Sequence, residues 1–528
     1  MGVIAMESAA RIHKVLKEQY KRGAKDYWMD PLVNIKQEKP AGKIKNGDSL
    51  FFCCRRGDRQ RQLLEAFVEP QFDGFQRDFF PDLSVVPLVQ FHEKFSDLPT
   101  IFPPVNPEWT LGETLSRAQI RQTRIAESEK AGHVTFFFNG RRVDPFEGED
   151  WVIVPSPHSS QFLDQPATST AQAAAKAVEA MAQDFEKHFI LVNLAAGDTI
   201  GHLDDWEANV LCAEAVDKAL TTICAGAAEH NYAVAVTADH GLLEKFVKAD
   251  GSHNLSHTTS PVPFGLVLPP EGPSVQLQDS EDASLADVAP TLLKIMGISQ
   301  PAAMTGQARS IPEGTYQRLV LVVLDGWGLG VQDPAVNPIA AARTPCLDQI
   351  EKKGPYLSLA ASGPAVGLPR GRSGNSETGH LTLGAGRVIP QDELRIAQAV
   401  EAGELVGNKA LNYGLESALA RQGQIHFLLL LSERSSHGNL AEGLAVLKAA
   451  AAKGIKKAWL HLILDGRSSP PQASANLLKL LKKGIPAGIQ VEIATAVGRS
   501  FALDRSGGYQ DKTRIAYEAL VLGKGIPF

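Results

Sequence analysis

Three runs of aliphatic residues, Phe189 to Asn193, Ala233 to Thr237 and Leu319 to Leu324, each lead into an acidic loop flanked by glycine. The loops read Gly197-Asp198-Thr199-Ile200-Gly201-His202, Ala238-Asp239-His240-Gly241 and Asp325-Gly326-Trp327-Gly328. Val, Ile and Leu in unbroken runs belong to strands buried on both faces, and such strands build largely parallel sheets covered by helices. Between the first two runs, Asp204 to His230 is Ala-rich with apolar residues at helical spacing, which predicts a long helix and a β-α-β unit. Ile425 to Leu431 and Ala458 to Leu464 bracket a helix-like Leu440 to Lys453, predicting a second α/β unit late in the chain. The expected class is α/β, with no repeat of fixed period.

A chain of 528 residues has room for about two to four domains. Pro-rich breaks near 102–107 and 310–314 punctuate it, the second reading as a joint between modules, and a weaker transition lies near Val388 to Asp392. Fifty-three basic and fifty-nine acidic residues leave a net charge of -6, so neither nucleic acid nor an anionic membrane is attracted globally. An anionic ligand must be held by a local cluster. Five cysteines without C-x-x-C spacing suit a reducing, cytoplasmic compartment. Met1 to Ala5 is too short for a signal sequence, and Met6 stands where a myristoylation motif on Gly2 would need Ser or Thr. Phe427 to Leu431, the longest greasy run, falls far short of the roughly 20 residues that span a bilayer.

Ligands of open parallel sheets gather at the carboxyl ends of strands, where these acidic loops stand. Carboxylates mixed with imidazoles, including His257 just beyond the second loop, suit manganese, zinc or cobalt, whereas all-oxygen sites suit magnesium or calcium. Asp198 and His202 can share one face of a turn. Singly, an Asp before Gly is more often a turn former and a loop His a local hydrogen-bond partner; together they favour a metal site. In Arg372-Ser373-Gly374-Asn375-Ser376-Glu377-Thr378-Gly379-His380, Ser376 is either a helix N-cap or a nucleophile activated by a divalent ion. Arginines cluster at Arg55, Arg56, Arg59 and Arg61, and recur at Arg467, Arg499 and Arg505, which suits phosphate or carboxylate recognition.

With these motifs stand Leu383-Gly384-Ala385-Gly386-Arg387, Leu464-Asp465-Gly466-Arg467, and Glu129-Lys130 followed by His133-Val134-Thr135-Phe136-Phe137-Phe138-Asn139-Gly140. The set resembles the cofactor-independent phosphoglycerate mutases of the alkaline phosphatase superfamily over nearly the whole chain. Its order is rotated: the family's opening Leu-Asp-Gly-Trp-Gly strand arrives only at Asp325, which implies a circular permutation with the old termini joined through Gly306 to Gln317. The resemblance implies a phosphatase-like α/β domain from about Thr110 to Pro390, and a transferase domain combining Gln391 to Phe528 with Met1 to about Trp109. One metal would be held by Asp198, His202 and His257, the other by Asp239, His240, Asp325 and Ser376, with Mn2+ favoured over Zn2+ or Co2+ and no bisphosphoglycerate required. It further implies Ser376 as phosphoryl acceptor, with Lys130 and Arg56 nearest the phosphoryl group. Substrate positions are His437, Arg467, Ser468, Arg499, Arg505, Arg56, Arg59 and Lys130. The implied protein is a cytoplasmic monomer acting on 3-phosphoglycerate and 2-phosphoglycerate.

One departure matters most. After Arg467 the family has an Asp placed to relay protons between the glycerate hydroxyls, and this chain has Ser468. Arg434-Ser435-Ser436-His437-Gly438-Asn439, Cys54-Arg55-Arg56 and Leu242-Leu243-Glu244 also depart from the family pattern. Two other readings therefore stand beside the mutase: a phosphatase or altered phosphotransferase, and a silent homologue that binds phosphorylated metabolites or a protein partner.

Overall fold

Lack of polar alternation makes the aliphatic runs into strands buried along their whole length, as in His188–Leu194, Ala233–Thr237 and Ile425–Leu431. The computed structural model describes residues 7–248 and 250–528, so the Met1 to Ala5 stretch and the Gly2 and Met6 reading lie outside the described residues. The chain forms two compact units, Val105–Gln391 and the described residues of Met1–Pro104 with Asp392–Phe528. Among the described residues, no helix is long and apolar enough to cross a membrane.

The sheet of the continuous unit runs Tyr356–Leu359, Val262–Val267, Ala233–Thr237, Arg318–Leu324, His188–Leu194, Arg121–Glu127, Glu149–Val154. Its last five strands are parallel, and at one edge Val262–Val267 runs antiparallel to both of its neighbours, Ala233–Thr237 and Tyr356–Leu359. The predicted β-α-β unit is present, but Arg318–Leu324 inserts between its two strands, pairing with both. Helix Trp206–Glu229 makes the crossover, started by Asp205, whose carboxylate accepts from Ala208 N at 2.8 Å. The Pro-rich segment 310–314 is no joint between modules. Ser310–Pro312 pairs with Val275–Leu277 inside this unit, Arg309 Nε donates to Asp287 at 2.9 Å, and Tyr316 Oη donates to Pro273 O at 2.6 Å. The strand pairing satisfies the segment's backbone, and the two side-chain bonds fasten it to its own unit.

In the other unit, the sheet order is Ile526–Pro527, Leu32–Val33, Gln490–Gly498, Lys457–Leu464, Ile425–Leu431, Ser49–Phe52, Ser84–Pro87. Strands from early and late chain thus interleave, with helix Leu440–Ala452 crossing between Ile425–Leu431 and Lys457–Leu464. A buried polar line crosses this apolar sheet. His426 Nε2 lies 3.1 Å from Asp48, His426 Nδ1 lies 3.0 Å from His461 Nε2, and His461 Nδ1 lies 2.9 Å from Thr495 Oγ1. With both imidazoles neutral, every group is satisfied: His426 donates to Asp48, His461 to His426, and the Thr495 hydroxyl to His461.

Candidate metal and anion sites

Parallel strands deliver their succeeding loops to a single sheet edge. Arg121–Glu127 leads to the turn Ser128–Lys130, His188–Leu194 to helix Ala196–Gly201, Ala233–Thr237 to Asp239 and His240, and Arg318–Leu324 to Asp325. Register sets Leu324 beside Leu194 and Val323 beside Thr237, so the loops emerge level. Gly326 is required where two of them touch: its φ is +78°, and a Cβ there would lie 2.8 Å from the Asp198 backbone nitrogen.

Buried Lys130 is the hub, its Nζ donating to Asp198 Oδ2 at 2.7 Å, Asp325 Oδ1 at 2.8 Å and Ser376 Oγ at 2.8 Å. Ser376 opens helix Ser376–Ala385, but it is not the N-cap that its sequence context offers. Asn375 takes that role, accepting from Thr378 N at 2.9 Å, which leaves the Ser376 hydroxyl directed at Lys130 and, at 3.1 Å, His240 Nε2. Residues Asp198 and His202 do share one face, with Asp198 Oδ1 3.3 Å from His202 Nε2 and 3.0 Å from His257 Nε2.

The donor set fits a cation. His202 Nδ1 faces Leu255 O at 3.0 Å and His257 Nδ1 faces Gly374 O at 2.9 Å. A carbonyl only accepts, so each Nδ1 carries a proton, and the Asp198 carboxylate holds both imidazoles above their usual range against burial. The two Nε2 atoms stand 3.2 Å apart, and the Asp198 Oδ1 beside them is buried without a hydrogen bond. A cation that displaces the two Nε2 protons meets three acceptors facing one another. Ligand atoms of Asp198, His240 and His257 lie within 4.8 Å of one another, as do those of Asp239, His240 and Asp325. His240 Nε2 is 3.5 Å from Asp239 Oδ2, another buried oxygen without a hydrogen bond, and 3.6 Å from Asp325 Oδ1.

Charge points the same way. Asp198 and Asp325 share one ammonium, and Asp239 stands beside them within the same cluster of ligand atoms. Burial and the charge of Asp239 push the Asp325 carboxyl up. Burial also opposes ionisation of Asp198 and Asp239, yet His202, His257 and Lys130 hold the first below its usual range, and His240, His380 and Lys130 the second. Attraction to these carboxylates outweighs burial at Lys130 and raises its pKa, so it stays charged. A cavity of about 610 Å3 opens beside the cluster, lined by Lys130, His133, Asp198, Thr199 and His202 among others.

The anion-binding candidates gather in the split unit. Arg499 donates from Nη2 to His437 at 3.1 Å and from Nη1 to Asp465. Asp465 also accepts from Ser432 Oγ at 3.1 Å, Ser469 Oγ at 2.9 Å and the Ser468 amide at 3.0 Å. Asp58 takes Arg56 Nε at 2.8 Å and Arg505 Nη1 at 2.7 Å, with Arg59 Nε at 4.0 Å. Burial, then Arg499, Arg56 and Arg59, hold the His437 imidazole down to about 3. Burial and the Arg505 charge lower the Arg59 guanidinium too. Arg467 and Ser468 are exposed. Two arginines of the basic segment serve structure instead: Arg55 pairs with buried Glu442, and Arg61 with Glu65 at 2.9 Å.

Sequence reading missed four participants. His380 Nδ1 lies 2.9 Å from Ser376 O and its Nε2 3.0 Å from Asn193, which donates to Asp325 at 2.7 Å. Their signals were present, a His one helical turn beyond Ser376 and an amide closing an otherwise apolar strand. Asp58 and Asp465 were acids inside arginine-rich segments, a pattern that marks internal counter-ions.

Among known proteins, the family signature described as the Metalloenzyme superfamily matches residues 29–300, just over half of the chain. The signature described as the BPG-independent PGAM N-terminus matches residues 396–527. A 2,3-bisphosphoglycerate-independent phosphoglycerate mutase of Cyanothece is 37% identical over 301 residues, covering 56% of this chain and 55% of that protein. One from Salinibacter ruber is 38% identical over 298 residues, covering 55% of each. The chain thus spans about half the length of the curated relatives it matches. A crystal structure of Leishmania mexicana phosphoglycerate mutase at low cobalt concentration is 26% identical, covering 53% of each chain with a TM-score of 0.40, a superposition too loose to bear on the fold.

Proposed function

The chain belongs to the metalloenzyme superfamily, and from that premise we propose that it interconverts 3-phosphoglycerate and 2-phosphoglycerate through a phosphoserine at Ser376. The observation that carries the reading is Ser376 itself, a hydroxyl relieved of capping duty and held by Lys130 and His240 among carboxylates short of positive charge. Asp198, His202 and His257 would hold one divalent ion, and Asp239, His240, Asp325 and Ser376 the other. Manganese is favoured for this mixed carboxylate and imidazole set, with zinc or cobalt as alternatives. When bound, the ions lower the pKa of the serine hydroxyl and neutralise charge on the transferring group.

In this reading Ser376 Oγ bonds to phosphorus as the bond from phosphorus to the 3-oxygen breaks; the proton lost by serine is matched by one gained at glycerate. Return of the phosphoryl group to the 2-oxygen reverses the step, so no free bisphosphoglycerate is needed. Lys130, kept charged, screens the phosphoryl oxygens from the aspartates. Arg56, Arg59, Arg467, Arg499, Arg505 and His437 bind the substrate's carboxylate and phosphate. We read the chain order as a circular permutation, a reading supported by an N-terminus signature that matches downstream of the metalloenzyme match. Five free cysteines support a cytoplasmic setting, and a monomer is part of the proposal.

A second reading, a phosphatase, is favoured by Ser468. Asp465 is engaged by Arg499 and three serines, so it does not replace the missing carboxylate as a proton relay. Water taking the phosphoryl group from Ser376 would then release phosphate. The test is 3-phosphoglycerate with manganese, measuring 2-phosphoglycerate and inorganic phosphate together. Isomer carries the mutase reading, phosphate alone carries the phosphatase, and folded, metal-loaded protein giving neither sinks both.

A further inference from the structure

Helices Trp206–Glu229 and Pro345–Lys353 of the continuous unit pack together and bring two half-buried cysteines to one cavity. Cys224 lies near the end of the first helix and Cys346 in the opening turn of the second. Both line a space of about 380 Å3 whose other walls include Leu266, Val267, Leu268 and Ile350. No residue of the carboxylate and imidazole cluster lines it. The two thiols interact with one another across this space, and the Thr221 hydroxyl of the same helix as Cys224 donates to Asp217 O at 2.9 Å. Cys346 is anchored at its backbone, where Asp217 accepts from its amide at 3.2 Å and from that of Leu347 at 2.9 Å.

We propose that Cys346 and Cys224 form a peroxide-reactive dithiol, a modification site whose co-reactant is a hydroperoxide. Two features support it beside the shared cavity. Contact with Cys224 holds the Cys346 thiol below its usual range even though burial and the Asp217 carboxylate at the start of its helix oppose a thiolate there, and the same contact, with burial, pushes Cys224 up, which separates an attacking from a resolving sulfur. By contrast Cys53, Cys54 and Cys212 are fully buried with thiols pushed up by that burial, so they serve as internal controls.

The Cys346 thiolate attacks one peroxide oxygen, the O–O bond breaks, and Cys346 sulfenic acid and water form after protonation. Cys224 sulfur then attacks the sulfenic sulfur, an S–S bond forms and a second water leaves. Two thiols lose two electrons and two protons, and the peroxide is reduced to water. An added dithiol reverses the change.

The test treats the full chain with hydrogen peroxide, alkylates it, and maps peptides by mass. Expected is the loss of two alkylatable thiols, a mass loss of two hydrogens, and a dithiothreitol-reversible 224–346 cross-link with the other three cysteines untouched. Cys224→Ser should stop at a Cys346 sulfenic acid trapped by dimedone, and Cys346→Ser should slow peroxide consumption about tenfold, each in protein with unchanged circular dichroism. Two results would overturn the proposal: both thiols still alkylatable after peroxide that oxidises free glutathione, or Cys346 driven to sulfinic acid while Cys224 remains free. Neither depends on mutase activity.

Discussion

Replacing Lys130 with methionine keeps the aliphatic stem and deletes the ammonium on which Asp198 and Asp325 converge. Lys130 is only 5% exposed, so water cannot take over its role. Removing one partner from a buried ion pair costs about 3–5 kcal/mol. At about 2–4 °C per kcal/mol for a domain somewhat smaller than this unit, the metal-free Lys130→Met protein should melt about 6–20 °C below the metal-free parent. Divalent ions compete with the ammonium for the same oxygens, so manganese should restore much of the loss; at a hundredfold over Kd, binding contributes about 2.7 kcal/mol. Differential scanning fluorimetry of both proteins, in EDTA and in manganese, reads all four states. If the two melt within about 1 °C of each other in EDTA, the carboxylates do not depend on Lys130 and the charge argument fails.

Ser468→Asp should raise isomer formation by about two orders of magnitude and lower the ratio of phosphate to isomer, since a positioned acid or base contributes 10²–10⁴ in rate; an unchanged ratio refutes the relay role. Asp58→Asn frees Arg56 and Arg505 from their carboxylate, and with exposed pairs worth about 0–1 kcal/mol each, sulfate should bind up to about tenfold more tightly by calorimetry. Burial holds His426 and His461 below the usual imidazole range, so both are neutral in the fold while the unfolded chain takes up protons near about pH 6.5. Stability is therefore fully present above that pH and falls as pH drops toward the folded values; urea midpoints at about pH 7 and pH 5 should show the loss, and His426→Gln should flatten it.

The strand runs were legible because burial on both faces leaves no polar residue to break them, and the acids after Leu324 and Thr237 were legible because strand ends are where a parallel sheet can bind anything. Sheet order was not. Nothing local tells Arg318–Leu324 to insert between His188–Leu194 and Ala233–Thr237, since that choice is made by long-range pairing. Proline spacing also misled at 310–314, where side-chain bonds from Arg309 and Tyr316 fasten the segment to its own unit. At the cluster, ligand types could be read from chemistry, but the hand-over of capping from Ser376 to Asn375 is a matter of one residue in helix phase, finer than a helix boundary can be read. His380 and Asn193 touch the cluster only after folding.

The interleaved sheet also sets a timetable. Leu32–Val33 is flanked by Gln490–Gly498 and Ile526–Pro527, so its hydrogen bonds wait for almost the entire chain to leave the ribosome. At 5–20 residues per second that delay is about 25–100 s. Val105–Gln391 has every strand of its own sheet within one stretch and can close during synthesis. For the last part of that interval, about 7–27 s after Gln391 is made, the cell carries a completed Val105–Gln391 unit tethered to a nascent sheet with bare edges, so a chaperone or an aggregation partner meets the early strands first.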